Sequence, residues 1–203
     1  MRRSVVVAVA VVAVAAGLAV GLLLGASVGR PRLPAEGSAD VGFARSMQAH
    51  HAQAVEMSVL VRERSDDPEL RQVALDIELT QQQQQGQMFG WLAVWGLPQA
   101  AAGPPMAWMT EHGHGDAGDA DAMPGMATEA DLAALGAAEG VAAERLFLEL
   151  MIEHHRGGVE MAEAALDLAE RPEVRRLAQA VVDAQRVEIT VLEELLEARA
   201  ATA

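Results

Sequence analysis

The hydrophobic and polar positions divide the chain into two parts. An apolar run without a charged residue extends from Val5 to Val28, and beyond it apolar residues recur every three or four positions. That spacing places them on one face of an α-helix. It predicts four long helices. Three cover about 40–64, 68–95 and 141–170, and the last follows a break at residues 171–173 and ends at about residue 199.

Capping residues indicate where these helices begin. Asp40 is a candidate cap for the first helix, and Asp67 followed by Pro68 marks the start of the second. Thr128, with Asp131 three residues later, resembles a capping box that opens a short helix ending at about residue 135. The long helices are therefore expected to form two hairpins with a longer connection between them.

An internal duplication relates the two hairpins. At an offset of 104 positions, from Phe43 to Phe147, the segment FARSMQAHHAQAVEM aligns without a gap with FLELMIEHHRGGVEM. Both copies retain two adjacent histidines flanked by two methionines. These residues are Met47, His50, His51 and Met57 in the first copy and Met151, His154, His155 and Met161 in the second. Since neither hairpin can bury its apolar face alone, the duplication predicts one four-helix bundle.

The predicted organisation has three parts. Residues 1-30 form a signal anchor or signal peptide, residues 31-39 a tether and residues 40-200 the bundle. Within the bundle, repeat one covers 40-95, a Met- and His-rich loop 96-128, and repeat two 141-200.

The N-terminal apolar run has the features of an export signal. Arg2 and Arg3 precede it, and its length of about 24 residues is enough to span a bilayer as a helix. Because the run is longer than a usual signal-peptide core, we expect an uncleaved single-pass membrane anchor rather than a cleaved signal. In both cases the bundle is exported, either to the extracytoplasmic side of the cell membrane or as a secreted protein.

Composition narrows the fold and the chemistry. Three Phe, three Trp and no Tyr leave little material for strands, which favours an all-α protein. The net charge of -14 argues against nucleic acid as a partner. The absence of cysteine excludes disulfides, thiolate zinc sites and cysteine nucleophiles. Imidazoles and thioethers are therefore the soft metal ligands of this chain.

Histidine combined with methionine favours copper. Thioethers prefer Cu(I), and imidazole binds both copper oxidation states. Met47, His50 and Met57 follow one another at spacings of three and seven residues, so one helix can present several ligands. Adjacent histidines at equivalent positions of a duplication are costly to bury without a partner. We predict that the eight duplicated His and Met residues bind metal ions, with copper preferred over other transition metals, in two similar sites or one shared site.

The loop 96-128 supplies weaker metal-binding candidates. It concentrates sulfur and imidazole where a core has no use for them, but no fixed spacing defines a site. The candidates are Met106, Met109, His112, His114, Met123 and Met126.

Known catalytic motifs are missing from the sequence. It has no His-Glu-x-x-His, no P-loop, no Gly-x-Ser-x-Gly and no dinucleotide fingerprint, and no repeat histidine has the Glu three residues earlier that di-iron bundles use. Two other functions stay open. One is a metal-dependent redox enzyme on the same scaffold, and the other is a structural or partner-binding bundle whose histidines form internal hydrogen bonds.

The stretches MPGMATEADLAAL, RLFLELMIEHHRGGVEMA and FARSMQAHHAQAVEM resemble the DUF305 family, over about Asp40 to Leu196. The resemblance implies a ferritin-like four-helix bundle that binds copper outside the cytoplasm and confers copper tolerance through the same eight His and Met residues. Asp40 and Glu144 occupy the acidic position of the family before each Phe, where they would cap the helix or assist a metal.

The two repeats differ close to their histidines. Gly158 stands where the first repeat has Ala54, which predicts looser packing beside the second histidine pair. Gln84-Gln85 in the first repeat corresponds to Glu188-Ile189 in the second. The two halves therefore need not bind metal alike.

Overall fold

The structure is a computed structural model that describes residues 2–27, 33–101, 103–110 and 123–200. These residues form seven helices and no strand, which confirms the all-α prediction. The helices are α1 (Arg2–Ser27), α2 (Ala39–Arg64), α3 (Pro68–Trp95), α4 (Ala107–Thr110), α5 (Glu129–Ala137), α6 (Gly140–Leu168) and α7 (Pro172–Ala200).

The chain divides into two compact units, Met1–Leu33 and Pro34–Ala203. The first unit contains α1. Crossing a bilayer takes about 20 predominantly apolar residues in one helix. Within the described residues no helix has the length and apolar character for such a span, so the predicted transmembrane anchor is not supported.

The caps of the helices largely follow the sequence signals. Asp67 accepts a hydrogen bond from the first turn of α3, Gly96 ends that helix with a φ of 72°, and the Thr128–Asp131 capping box forms at α5. At α2 the cap is Ser38, and Asp40 lies in the first turn of the helix. Asp40 is therefore free to bond elsewhere.

The second unit is built from two helical hairpins. Helices α2 and α3 form one hairpin, α6 and α7 form the other, and the hairpins pack together through α2 and α6. The short helices α4 and α5 both contact α2 and α6. The helices that carry the histidine pairs therefore face each other in the centre.

The core of this unit contains two separate apolar clusters. The first contains residues from the N-terminal halves of α2 and α7 and the C-terminal halves of α3 and α6, including Phe43, Leu92 and Val181. The second contains residues from the opposite halves of the same helices, including Ile77 and Phe147. The histidine pairs belong to neither cluster, although all four side chains are 0% exposed.

Candidate metal centre

Eight polar side chains lie along the four long helices between the stretches that supply the two apolar clusters. We name them the polar layer; its members are His50, His51, Gln81, Gln84, His154, His155, Gln185 and Glu188. Seven of them are buried, and the Glu188 side chain is 26% exposed. The offset of 104 positions pairs every member with another, and only Gln84 and Glu188 differ in residue type within such a pair.

The first histidine pair is held by neutral acceptors. His50 Nε2 lies 3.0 Å from the carbonyl oxygen of Pro124. Because a carbonyl can only accept, Nε2 carries the proton, and Nδ1 of the neutral ring carries the lone pair. His51 Nε2 lies 2.7 Å from Oε1 of Gln84, which gives the same tautomer.

The second pair differs in its acceptors. His155 Nε2 lies 2.7 Å from Oε2 of Glu188, so this proton is donated to a carboxylate. Neither ring nitrogen of His154 has a hydrogen-bond partner among the described residues. The rings of His154 and His50 stack with their centroids 3.8 Å apart and their planes at 32°. The two pairs therefore meet through His50 and His154.

Several buried imidazole nitrogens have no hydrogen-bond partner. Within the described part of the chain these are Nδ1 of all four histidines and Nε2 of His154. Leaving a buried polar atom unpaired costs about 1–3 kcal/mol, so such atoms usually indicate a missing ligand, water or ion. A metal ion bound at the one lone pair of each neutral ring would remove that cost for the nitrogen it binds. The atoms present therefore fit a metal that binds imidazole.

Burial keeps three of the histidines, His50, His51 and His154, neutral. It lowers the pKa of His50 to about 4, against the opposing hydrogen bond to Pro124. Burial and then the neighbouring His50 lower the pKa of His51 to about 3. Burial lowers the pKa of His154 well below 6.5, and repulsion from the other histidines lowers it further. The backbone of His50 has a smaller, opposite effect, although it forms no hydrogen bond with the ring. Near pH 7 all three rings are in the form that binds metal.

The four repeat methionines flank the polar layer and are 0% exposed. Met47 and Met161 belong to the first apolar cluster, and Met57 and Met151 belong to the second. The described residues contain no group of three or more His, Cys, Asp and Glu side chains arranged to hold a metal ion. A site at the polar layer would therefore need a thioether ligand or a change of histidine rotamer.

The acidic candidates bond elsewhere. Asp40 accepts a hydrogen bond of 2.9 Å from the backbone N–H of Arg171, in the α6–α7 connection. Glu144 accepts one of 2.6 Å from the hydroxyl of Ser65 and one of 2.7 Å from Nε of Arg199. Each acid lies ten residues before its histidine pair, about 15 Å along the helix. The contacts of Asp40 with Arg171 and of Glu144 with Ser65 join one hairpin to the end of the other, and Arg199 belongs to the same hairpin as Glu144.

The loop candidates separate into three groups. Met106 and Met109 are 2% exposed and pack in the first apolar cluster. Met109 lies in the four-residue helix α4, which the sequence pattern did not predict, and Met106 directly precedes that helix. Met123 and Met126 are half-buried. His112 and His114 lie outside the described residues.

A segment that sequence reasoning missed covers His50. We name residues 123–127 the strap. His50 contacts the strap at Pro124, and Gln53 contacts it at Ala127. Nε2 of Gln53 donates a hydrogen bond of 2.8 Å to the carbonyl oxygen of Ala127, and Oε1 of Gln53 accepts one of 2.7 Å from the backbone N–H of Ala127. Gly125 in the strap has a φ of 73°, which favours glycine. The Pro-Gly dipeptide in MPGM is a turn signal that could have indicated this segment.

The position of Gly158 corrects one prediction. A Cβ atom there would lie 2.4 Å from Oε1 of Gln185, so the glutamine side chain already fills that space. The prediction of loose packing beside the second histidine pair is therefore wrong.

Comparisons with known proteins place this structure among relatives. The family model described as a domain of unknown function, DUF305, matches residues 40–196. A DUF305 protein of Streptomyces coelicolor, described as a candidate secreted protein, is 47% identical, with a TM-score of 0.76 over 82% of this chain and 96% of that one. A DUF305 fragment from Deinococcus radiodurans is 40% identical, with a TM-score of 0.64 over 78% of this chain and 95% of the fragment.

A third relative has been solved with a metal. CopM in its Cu(II)-bound form is 26% identical to this chain, with a TM-score of 0.61, and covers 78% of this chain and 95% of its own. The Cu(I)-bound form of CopM is 25% identical to this chain, with a TM-score of 0.60 over the same fractions of the two chains. The search of curated proteins found no match. The family match and the two DUF305 structures together show that this chain belongs to the DUF305 family.

Proposed function

We propose that this protein binds copper at the polar layer, outside the cytoplasm. The observation that carries the proposal is the set of buried, unpartnered imidazole nitrogens on His50, His51, His154 and His155. Nitrogen lone pairs of neutral imidazole bind both copper oxidation states. A stable apolar core would not retain so many unpaired polar atoms without a use for them.

The repeat methionines complete the proposed ligand set. Met47, Met57, Met151 and Met161 lie within one helical turn or two of the histidines on the same helices. A thioether is the ligand that selects Cu(I), so a mixed His and Met set suits an ion that changes between its two oxidation states. CopM, which shares the fold and has been solved with either ion, supports this proposal.

The same relatives support the proposed location and fold. The candidate secreted protein of Streptomyces coelicolor supports a place outside the cytoplasm. There, methionine has the advantage that it does not form disulfides. We interpret the two packed hairpins as the ferritin-like bundle that the family resemblance implies, with repeats over 40-95 and 141-200.

The test is titration of the purified protein with Cu(I) under anaerobic reducing conditions and with Cu(II) in air. His50→Ala and His154→Ala remove the two stacked rings, and each is expected to weaken binding by at least about tenfold. His112→Ala with His114→Ala is the matched control, because these two histidines are not among the eight named members of the polar layer.

Each outcome decides between functions. Binding that falls with the His50 or His154 substitution supports the proposal. Binding that falls only with the loop control would place the metal elsewhere. If the wild type binds neither ion and its melting temperature does not rise with copper, the histidines have a structural role, and the proposal is overturned.

A further inference from the structure

The two halves of the polar layer have the same geometry but different charge. His51 and His155 are equivalent residues, and each Nε2 lies 2.7 Å from a side-chain oxygen of the opposite helix in its hairpin. In the first half that oxygen belongs to the amide of Gln84, and in the second to the carboxylate of Glu188. The duplication has therefore preserved the hydrogen bond while changing the charge of its acceptor.

No arginine neutralises Glu188 within the described residues. The arginines nearest in sequence on α6 and α7 are Arg156 and Arg186. Arg156 pairs with Glu153 and Glu193, and Arg186 pairs with Glu163. Among the residues that the structure describes, His155 is the only one with which Glu188 forms an ion pair or a hydrogen bond. Its negative charge is therefore directed at the imidazole.

A carboxylate behind an imidazole changes what the ring can bind. It fixes the proton on Nε2, so that Nδ1 presents the lone pair, and it makes the ring a stronger base and a stronger ligand. It also supplies one negative charge close to the buried metal cation. Burying a cation costs much less free energy when an anion is paired with it. An amide fixes the same tautomer but supplies no charge.

The benefit of that charge depends on the ion. A doubly charged ion loses more hydration on burial than a singly charged ion, and it gains more from a nearby carboxylate. The half that contains His51 and Gln84 offers only neutral groups. A singly charged, soft ion is the better fit there, since thioether and imidazole are neutral ligands that bind Cu(I).

We propose that Glu188 is a specificity-determining residue, which favours a divalent ion at the second histidine pair, while Gln84 leaves the first pair suited to a monovalent ion. The inference rests on the proposed copper function and goes beyond it, because it makes the two halves unequal. Glu188 acts through His155 and is a positioning residue.

The experiment exchanges the two acceptors in the full-length protein. Glu188→Gln gives the second half the acceptor of the first, and Gln84→Glu does the reverse. Dissociation constants are measured for Cu(II) and, under anaerobic reducing conditions, for Cu(I). We expect Glu188→Gln to weaken Cu(II) binding by about 10- to 100-fold and to change Cu(I) binding far less. Gln84→Glu is expected to strengthen Cu(II) binding.

Spectroscopy separates a change at the metal from a change in folding. The electron paramagnetic resonance spectrum of bound Cu(II) is expected to change in Glu188→Gln, because a weaker imidazole donor alters the copper hyperfine splitting. The melting temperature of each metal-free variant serves as the folding control. If Glu188→Gln does not fold, the Gln84→Glu variant decides the question alone.

The outcomes distinguish this inference from the proposed function. A selective loss of Cu(II) affinity in Glu188→Gln, or a gain in Gln84→Glu, supports it. Equal losses for both ions, or no change in either variant, overturn it while copper binding stands. If the wild type binds neither ion, the proposed function fails and this inference fails with it.

Discussion

Repeat one and repeat two form the same helical hairpin, yet they differ where they contact the strap, which has no counterpart in the duplication. The strap crosses both central helices, and it meets Gln53 on α2 and the equivalent residue Gly157 on α6. Gln53 holds the strap by two hydrogen bonds, whereas Gly157 lets its backbone come close. A single strap cannot contact two identical surfaces alike, so the repeats had to diverge at these positions.

The residues that stayed the same lie where the repeats face each other. His50 stacks on His154, and both rings are completely buried. Each repeat also keeps a buried glutamine, Gln81 or Gln185, in the polar layer. Contacts between equivalent helices can be satisfied by equivalent residues. Within the polar layer the repeats therefore differ only at the residues that accept a hydrogen bond from His51 and His155, which are Gln84 and Glu188.

Acid is expected to have the largest effect on stability, because it protonates the buried histidines that both repeats contain. For His50, His51 and His154 the pKa in the folded protein lies below the value of about 6.5 in the unfolded chain. The unfolded state therefore takes up more protons as the pH falls below 6.5. The free energy of unfolding drops through that window and levels off below about pH 3 to 4.

The expected loss by pH 5 is about 2 kcal/mol for each such histidine in the metal-free protein. Urea denaturation at pH 7.5, 6 and 5 with a chelator present measures it, and this window lies above the titration of ordinary carboxyl groups. His51→Gln should reduce the stability lost between pH 7.5 and pH 5 by the contribution of one histidine, about 2 kcal/mol. Equal stability at all three pH values would show that the buried rings are protonated or accessible to water in the folded state.

The sequence was sufficient for the elements that have a local cause. Periodicity predicted the four long helices, and Asp67, Pro68 and Thr128 predicted helix starts that the structure contains. The offset of 104 positions predicted that the two histidine pairs would occupy equivalent places. Local spacing and repetition carry this information without any knowledge of tertiary contacts.

The remaining features depend on contacts between distant residues. The strap lies 74 positions from the residues of α2 that it contacts, and its hydrogen bonds to Gln53 follow no local pattern. Asp40 and Glu144 had the acidic character of metal ligands, but each accepts a hydrogen bond from the connection at the end of the other hairpin. Which partner such a carboxylate finds is settled by tertiary packing alone.

The acidic residues at the helix starts give the second comparison. Glu144 and Arg199 form an ion pair of 2.7 Å in which both side chains are 8% exposed. Glu144→Ala leaves a buried guanidinium with Asp67, at 3.2 Å, as a remaining carboxylate partner, so we expect a loss of about 3 kcal/mol. Asp40→Ala removes two hydrogen bonds from backbone N–H groups and should cost about 1–2 kcal/mol.

Urea denaturation of the two variants at pH 7 measures this difference. Glu149→Ala, an exposed position on α6, is the control and should change the free energy of unfolding by less than about 0.5 kcal/mol. If Asp40→Ala costs as much as Glu144→Ala, the buried ion pair adds nothing beyond an ordinary hydrogen bond, and the two ends of the bundle are energetically alike.

Two adjacent glycines on α6 provide the most closely matched test. A Cβ atom on Gly157 would lie 2.1 Å from the carbonyl oxygen of Pro124 and 2.7 Å from the backbone nitrogen of Gly125. These are backbone atoms of the strap, which cannot move without breaking its contacts. Gly157→Ala should therefore destabilise the protein by about 1–3 kcal/mol and increase hydrogen exchange at the amide of Ala127.

Gly158→Ala should have the opposite sign. The atom in its way is the end of the Gln185 side chain, which can rotate, and repeat one already holds the equivalent pair Ala54 and Gln81 in a buried position. Alanine also favours a helix over glycine by up to about 1 kcal/mol, so the free energy of unfolding should rise by up to that amount. The same urea titration measures both variants. A loss in Gly158→Ala as large as in Gly157→Ala would mean that Gln185 is fixed by its neighbours, and that the polar layer of repeat two is more rigid than that of repeat one.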